Sequence, residues 1–203
     1  MRSEQPIGVF DSGIGGLTIA SALNKLLPNE QLVYYGDTQH LPYGNKSPKS
    51  IKYYAKKIAD FLLKKKCKAI VIACNSASSI ALEELLQHTN NTYPIFNVID
   101  PVVNYIRSNH TIKNLGIIGT TVTIESKIYE EKIKSARHDI KLNSLATPLL
   151  ANLIEDGDKI MCENILNYYL KSEVLKNIDS LILGCTHYPL IEKDINQFYN
   201  SKI

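Results

Sequence analysis

The chain has 203 residues, 44% of them hydrophobic, which fits a soluble globular protein of one domain or two small ones. No apolar run approaches the length of a bilayer span, and the opening MRSEQPIG lacks the apolar stretch of a signal peptide. The net charge of +3 is modest, and its densest cluster (Lys64, Lys65, Lys66, Lys68) closes a helix, where cations complement the dipole, so a nucleic-acid role is not indicated.

In chain order, the pattern predicts strand Ile7–Phe10, helix Leu17–Leu27, strand Leu32–Tyr35 and helix Pro48–Leu63. Ser47 can cap that last helix, with Pro48 in its first turn and Ile51, Tyr54, Ala55, Ile58 and Leu62 as a buried stripe. Strand Ala69–Ala73, helix Ala77–Gln87 and strand Ile95–Val98 complete a first part. Asp100–Pro101 opens a second: helix Val102–Arg107, strand Leu115–Ile118, helix Thr123–Ser135, strand Ile140–Leu145, helix Lys159–Leu170, strand Leu181–Leu183 and helix Leu190–Tyr199. Strands alternating with helices imply parallel, doubly wound sheets. The expected architecture is α/β: two three-layer parallel-sheet domains, 1–98 and 99–203, related by pseudo-twofold symmetry and facing across a cleft.

The two parts repeat a design. IGVFDSGIGG and LGIIGTTVTI are apolar strands that run into polar, glycine-bearing turns. AIVIACNSAS and SLILGCTHYP are strands that reach a small residue, then cysteine, then short polar side chains. A buried strand ending this way delivers its thiol to the carboxyl edge of the sheet, where open α/β folds bind ligands. Cys74 and Cys185 are therefore the leading candidates for chemistry. Facing one cavity from two sides, they would suit removal of a proton from one face of a carbon and its return to the other. Asp11, at the end of the first strand, and His187, two residues past Cys185, are their expected partners. Asn75, Ser76 and Thr186 offer short donors to charged substrate groups, and Ser12 with the Gly13–Gly16 turn offers backbone N–H groups.

Other chemistries fit less well. There is no CxxC redox pair, and Cys185 with His187 lacks the remaining ligands of a standard zinc pattern. FDSGIGG lacks GxGxxG spacing, and Asp11 would repel a pyrophosphate. A phosphoaspartate reading leaves both strand-end cysteines without a task. Cys67 and Cys162 sit at a helix end and inside a helix and read as structural. Reduced thiols in the cytoplasm fit better than disulfides. No pyridoxal-bearing lysine or flavin motif is evident, so no cofactor and no metal are expected.

The segments IGVFDSGIGGLT, YYGDTQHLPYG, VIACNSAS and LILGCTHYPLI, in this order, resemble the cofactor-independent glutamate racemases, over a span from Pro6 to about Leu190. The resemblance implies interconversion of L- and D-glutamate, supplying D-glutamate to bacterial peptidoglycan and so cell wall and cell shape. It implies Cys74 and Cys185 as the catalytic thiols, with Asp11 and His187 assisting. Ser12, Pro42, Tyr43, Gly44, Asn75, Ser76, Thr121 and Thr186 would line the glutamate site, with the loop Leu41 to Gly44 closing over it. It also implies a homodimer, for which Tyr53 and Tyr54 are candidate contacts. Ser76 stands where the family usually has threonine, and TPLLANLIEDG varies the family pattern while keeping Glu155. The family usually continues about sixty residues further to complete the first domain, so an incomplete first domain is expected. An aspartate racemase, a related decarboxylase and a non-catalytic amino-acid-binding relative remain as alternatives.

Overall fold

The computed structural model describes residues 4–203. The chain forms two compact units, the first ending at Ile99 and the second beginning at Asp100.

The first unit is built on four parallel strands. β1 (Ile7–Asp11) is followed by α1 (Leu17–Leu26), β2 (Leu32–Gly36), α2 (Pro48–Lys64), β3 (Ala69–Ile72), α3 (Asn75–His88) and β4 (Ile95–Asn97), in the sheet order β2-β1-β3-β4. Side chains alternate across a strand, so β1 is read on both faces. Val9, with Ile7 and Val71, packs against Ala20, Ile19 and Leu23 of α1. Gly8 points the other way, where a Cβ would meet Leu62 of α2 and the Cys67 thiol. Helices therefore cover both faces, giving three layers. α2 starts as its sequence predicts: Ser47 Oγ accepts from the Ser50 N–H at 3.1 Å, Pro48 occupies the first turn, and Ile51, Ala55, Ile58 and Leu62 are buried.

The second unit is built on three parallel strands. α4 (Ile99–Ser108) leads to β5 (Asn114–Gly119), α5 (Thr121–Glu125), α6 (Ile128–Ala136), β6 (Lys141–Ala146), α7 (Leu150–Asp156), α8 (Lys159–Leu170), β7 (Ser180–Gly184) and α9 (Glu192–Phe198), in the sheet order β6-β5-β7. Ile118 shares a buried cluster with Leu150 and Ala151 of α7, Cys162, Leu166 and Leu170 of α8, and Ile195 of α9. Ile117 points the opposite way, beside Ile124 and Tyr129 of α5 and α6.

Three departures from the sequence reading have local causes. The predicted helix Thr123–Ser135 is two helices, because Lys127 takes a left-handed φ of 56° between them. Asp100 and Pro101 do not precede a helix but lie in the first turn of α4, where proline lacks only an N–H that the helix does not need. The segment after Thr147, unassigned in the sequence reading, folds as α7 and ends at Gly157, whose φ of 75° is the usual left-handed stop. No described helix is long and apolar enough to cross a membrane.

Candidate active site

The first unit assembles its site from the ends of β1 and β3. Phe10 pairs with Ile72, and the Ala73 N–H donates to the Phe10 carbonyl at 2.8 Å. Extending this register sets Asp11 beside Ala73 and Ser12 beside Cys74. The Cys74 thiol donates to Ser12 Oγ at 3.6 Å and receives the Ala77 N–H at 3.4 Å, so the sulfur itself caps α3. Asn75 and Ser76 follow in the first turn of α3, both buried.

Asp11 is fully buried, and its carboxylate accepts the Gly13 N–H at 2.9 Å. The close packing of this turn depends on glycine at two places. A Cβ on Gly16 would strike the Asp11 side chain, and a Cβ on Gly36 would strike the Gly13 carbonyl. Cys74 is pushed up to about 11, first by burial and then by the negative charge of Asp11; the Ala77 N–H and Ser12 pull the other way. Cys74 is therefore a thiol at neutral pH.

The loop of the first unit adds a third group. Tyr43 opens a short 3-10 turn (Tyr43–Asn45) and is fully buried, Gly44 is buried, and Pro42 is half-buried. The Tyr43 hydroxyl donates to Asp37 at 2.6 Å. Its proton is held far more tightly than in a free phenol, by burial, by the Asp37 hydrogen bond and charge, and then by the nearby Cys74 sulfur. Tyr43 thus lies within electrostatic reach of Cys74.

The second unit builds a different environment. Gly119 pairs with Gly184, so the two residues that follow, Thr120 and Cys185, stand at the same carboxyl edge. Thr120 caps α5 by accepting the Thr123 N–H at 3.3 Å, and Thr121, half-buried, is the first residue of that helix. Cys185, Thr186 and His187 are all buried. The Cys185 sulfur lies 3.5 Å from His187 Nδ1. On the other side of the imidazole, Nε2 lies 3.4 Å from Glu155 Oε1, an ion-pair distance without hydrogen-bond geometry. The imidazole thus touches the thiol on one side and has a carboxylate at ion-pair distance on the other.

Within the first unit the structure brings together Asp11, Ser12, Tyr43, Cys74, Asn75 and Ser76. Within the second it brings together Cys185 and His187 and sets Thr186 between them in the chain. Three further groups join these clusters without having been singled out as site residues. Glu155 was noted only as a retained family residue, and its approach to His187 needed α7. Asp37 stood in plain view in the segment GDTQHLPYG, but nothing in its spacing marks it as the tyrosine's partner. Thr147 meets the buried Tyr188 hydroxyl at 2.6 Å, a contact across 41 residues. All four cysteines are buried. Among the described residues, no group of three or more histidine, cysteine, aspartate or glutamate side chains is placed to hold a metal ion.

Comparison with known proteins identifies the family. The glutamate racemase of Aquifex aeolicus is 41% identical over 194 residues, covering 95% of this chain and 74% of its own length. The crystal structure of the glutamate racemase from Francisella tularensis in complex with D-glutamate matches with a TM-score of 0.88 at 40% identity, covering 96% of this chain and 73% of that one. A glutamate racemase isoform from Bacillus anthracis matches with a TM-score of 0.92 at 34% identity, covering 100% and 76%. The family model for Asp/Glu/Hydantoin racemase matches residues 14–201, and with relatives this similar over this much of both chains, the protein belongs to the Asp/Glu/Hydantoin racemase family.

Proposed function

We propose that the protein is a glutamate racemase that interconverts L- and D-glutamate by proton transfer between substrate and two cysteines, supplying D-glutamate for peptidoglycan. The observation that carries this reading is the recurrence of a buried thiol at the carboxyl end of a parallel strand in each unit, Cys74 after β3 and Cys185 after β7, each with its own charged or titratable partner. The glutamate racemases among its relatives, one of them solved with D-glutamate, support glutamate as the substrate.

In this mechanism one cysteine, as thiolate, takes the α-hydrogen as a proton and leaves its electron pair on the α-carbon, delocalised into the adjacent carboxylate. The other cysteine, as thiol, gives its proton to the opposite face of that carbon. At the end of the turnover the first sulfur is a thiol and the second a thiolate, so the reaction needs no oxidant and no external acid. Burial first, and the Asp11 charge after it, oppose thiolate formation at Cys74. A substrate bringing its ammonium group toward that carboxylate would weaken the repulsion and move the thiol toward thiolate. His187, with Glu155 beside it, attends Cys185 in a different way: at 3.5 Å its Nδ1 can take the thiol proton and return it. Ser12, Pro42, Tyr43, Gly44, Asn75, Ser76, Thr121 and Thr186 complete the proposed substrate contacts.

The test is racemisation of L- and D-glutamate in heavy water, with L- and D-aspartate in parallel, for the parent protein, Cys74→Ser and Cys185→Ser. The parent turns over glutamate, and each serine variant loses about a thousandfold in rate, because an alcohol is a far weaker acid and its anion is not formed near neutral pH. Full turnover by either variant would overturn the two-thiol mechanism. Aspartate used as well as glutamate would overturn the substrate assignment.

A further inference from the structure

We infer that Asp37 is a positioning residue for the racemase reaction, holding the substrate loop against the Cys74 site through Tyr43. The inference rests on the reading of Tyr43 and Gly44 as substrate contacts. Asp37 is the first residue past the edge strand β2, and its N–H donates to the Asp11 carbonyl at 3.0 Å. Its backbone is thus tied to the residue whose charge adds to burial in raising Cys74. Its side chain, only 6% exposed, reaches forward into the loop. The carboxylate accepts the Tyr43 hydroxyl at 2.6 Å and stands 2.8 and 3.0 Å from His40 Nδ1, which acts as donor when that nitrogen carries the proton.

Both partners of Asp37 are themselves fastened to α2. The His40 ring stacks on Tyr54 with centroids 4.0 Å apart and planes 20° from parallel, and the Tyr43 ring lies 5.9 Å from that same Tyr54. A buried acceptor with two donors, each packed on a helix, leaves the loop one arrangement rather than many. The contact is charge-assisted and shielded from water, which makes it stronger than a surface pair and costly to break from one side only. Loss of the carboxylate would leave a buried hydroxyl without its acceptor, and loss of the hydroxyl would leave a buried carboxylate short of a donor.

The second unit contains a comparable device. Thr147 is the first residue past its edge strand β6, and its N–H donates to the Gly119 carbonyl at 2.8 Å. Thr147 Oγ1 gives its own proton to that carbonyl at 3.0 Å and meets the Tyr188 hydroxyl at 2.6 Å. Tyr188 is fully buried and opens a 3-10 turn (Tyr188–Ile191) directly after His187. In each unit, then, the first residue past the edge strand is bonded to the neighbouring strand and holds a buried tyrosine of a turn that bears, or directly follows, proposed site residues. The two tyrosines follow different strands, so the likeness is one of construction and not of position in the chain.

The experiment measures kcat and KM for glutamate, glutamate affinity by calorimetry and unfolding by circular dichroism for the parent, Asp37→Ala, Asp37→Asn, Tyr43→Phe and the Asp37→Ala/Tyr43→Phe double variant. Asp37→Ala and Tyr43→Phe each raise KM about tenfold while kcat stays within about threefold, since one charge-assisted hydrogen bond is lost and the thiols are untouched. The double variant is no worse than the poorer single one, because both remove the same contact. Asp37→Asn keeps an oxygen for the tyrosine hydroxyl and recovers most of the affinity. Unchanged KM in folded variants, losses that multiply in the double variant, or a fall in kcat alone would overturn the inference. If Asp37→Ala does not fold, Tyr43→Phe, which removes a single oxygen, and Asp37→Asn decide by the same criteria. A parent that binds glutamate without racemising it would sink the proposed function but not the inference, which the calorimetric affinities then test. A parent that neither binds nor racemises glutamate would sink both.

Discussion

Cys74 shows how one residue's surroundings set its chemical role. Burial and the Asp11 charge both favour the protonated sulfur, and the capping N–H of Ala77 offsets them only in part. A carbon-NMR titration of labelled cysteine, assigned with Cys74→Ser, should find Cys74 titrating at about 11, well above an ordinary thiol. Asp11→Asn should move that midpoint down, because it removes a negative charge and keeps the shape of the side chain. A midpoint at the ordinary thiol value, or one indifferent to Asp11→Asn, would contradict the account. Cys185 is held differently, with an imidazole at 3.5 Å in place of a carboxylate field. The two thiols are thus chemically unequal partners in a reaction that runs in both directions.

The elements matter through where they end. β1 and β3 stop together, so their carboxyl ends offer Asp11, Ser12 and Cys74 at one level, and α3 begins at once with the cysteine as its cap. The glycine turn between β1 and α1 lies so close to β2 that Gly36 and the Gly13 carbonyl leave no room for a side chain. Tyr34 of β2 closes the same turn, donating its hydroxyl to the Gly13 carbonyl at 2.8 Å. Gly36→Ala is therefore expected to destabilise the protein by about 1–3 kcal/mol, as overpacking against backbone does, and to lower activity by displacing the Asp11 turn. Urea unfolding with a parallel rate measurement checks this. An unchanged midpoint with full activity would show that the turn gives way freely.

At the scale of the whole molecule, the groups with the largest upward shifts are those that the fold keeps protonated. Cys74 and the buried tyrosines Tyr43, Tyr129 and Tyr188 all hold their protons more tightly when folded than when exposed. The unfolded chain releases these protons first, near the ordinary values of 9.0 for cysteine and 10.0 for tyrosine. The stability they contribute is complete below that range and is lost as pH rises through it toward the folded values. Cys74 alone, shifted from 9.0 to about 11, corresponds to a loss of about 3 kcal/mol at most across that window. The urea midpoint should therefore hold from neutral pH to about pH 9 and fall steeply above it, and less steeply in Cys74→Ser. A flat profile through that range would mean that these groups titrate alike in both states.

The sequence by itself determined the alternation of strands and helices, the parallel sheets, and the two cysteines at strand ends. Each of these is written in local patterns: apolar runs, caps such as Ser47, and small residues that let a strand turn sharply into a helix. Asp11 and His187 were legible for the same reason, lying next to the strand ends in the chain. Tertiary structure alone decided which distant groups attend them. Glu155 reaches His187 only because α7 forms and packs against α8 and α9, and its short apolar stretch has too few turns to declare a helix period. The break at Lys127 turns on one left-handed backbone conformation, and the helical start at Ile99 on the buried Asn97 side chain, whose oxygen accepts the Ile99 N–H at 2.9 Å. Asp37 and Thr147 acquire their tyrosines through pairings that depend on the register of the sheets. A hydrogen bond between residues far apart in sequence leaves no periodicity behind it, so only the folded chain can show which hydroxyl each one holds.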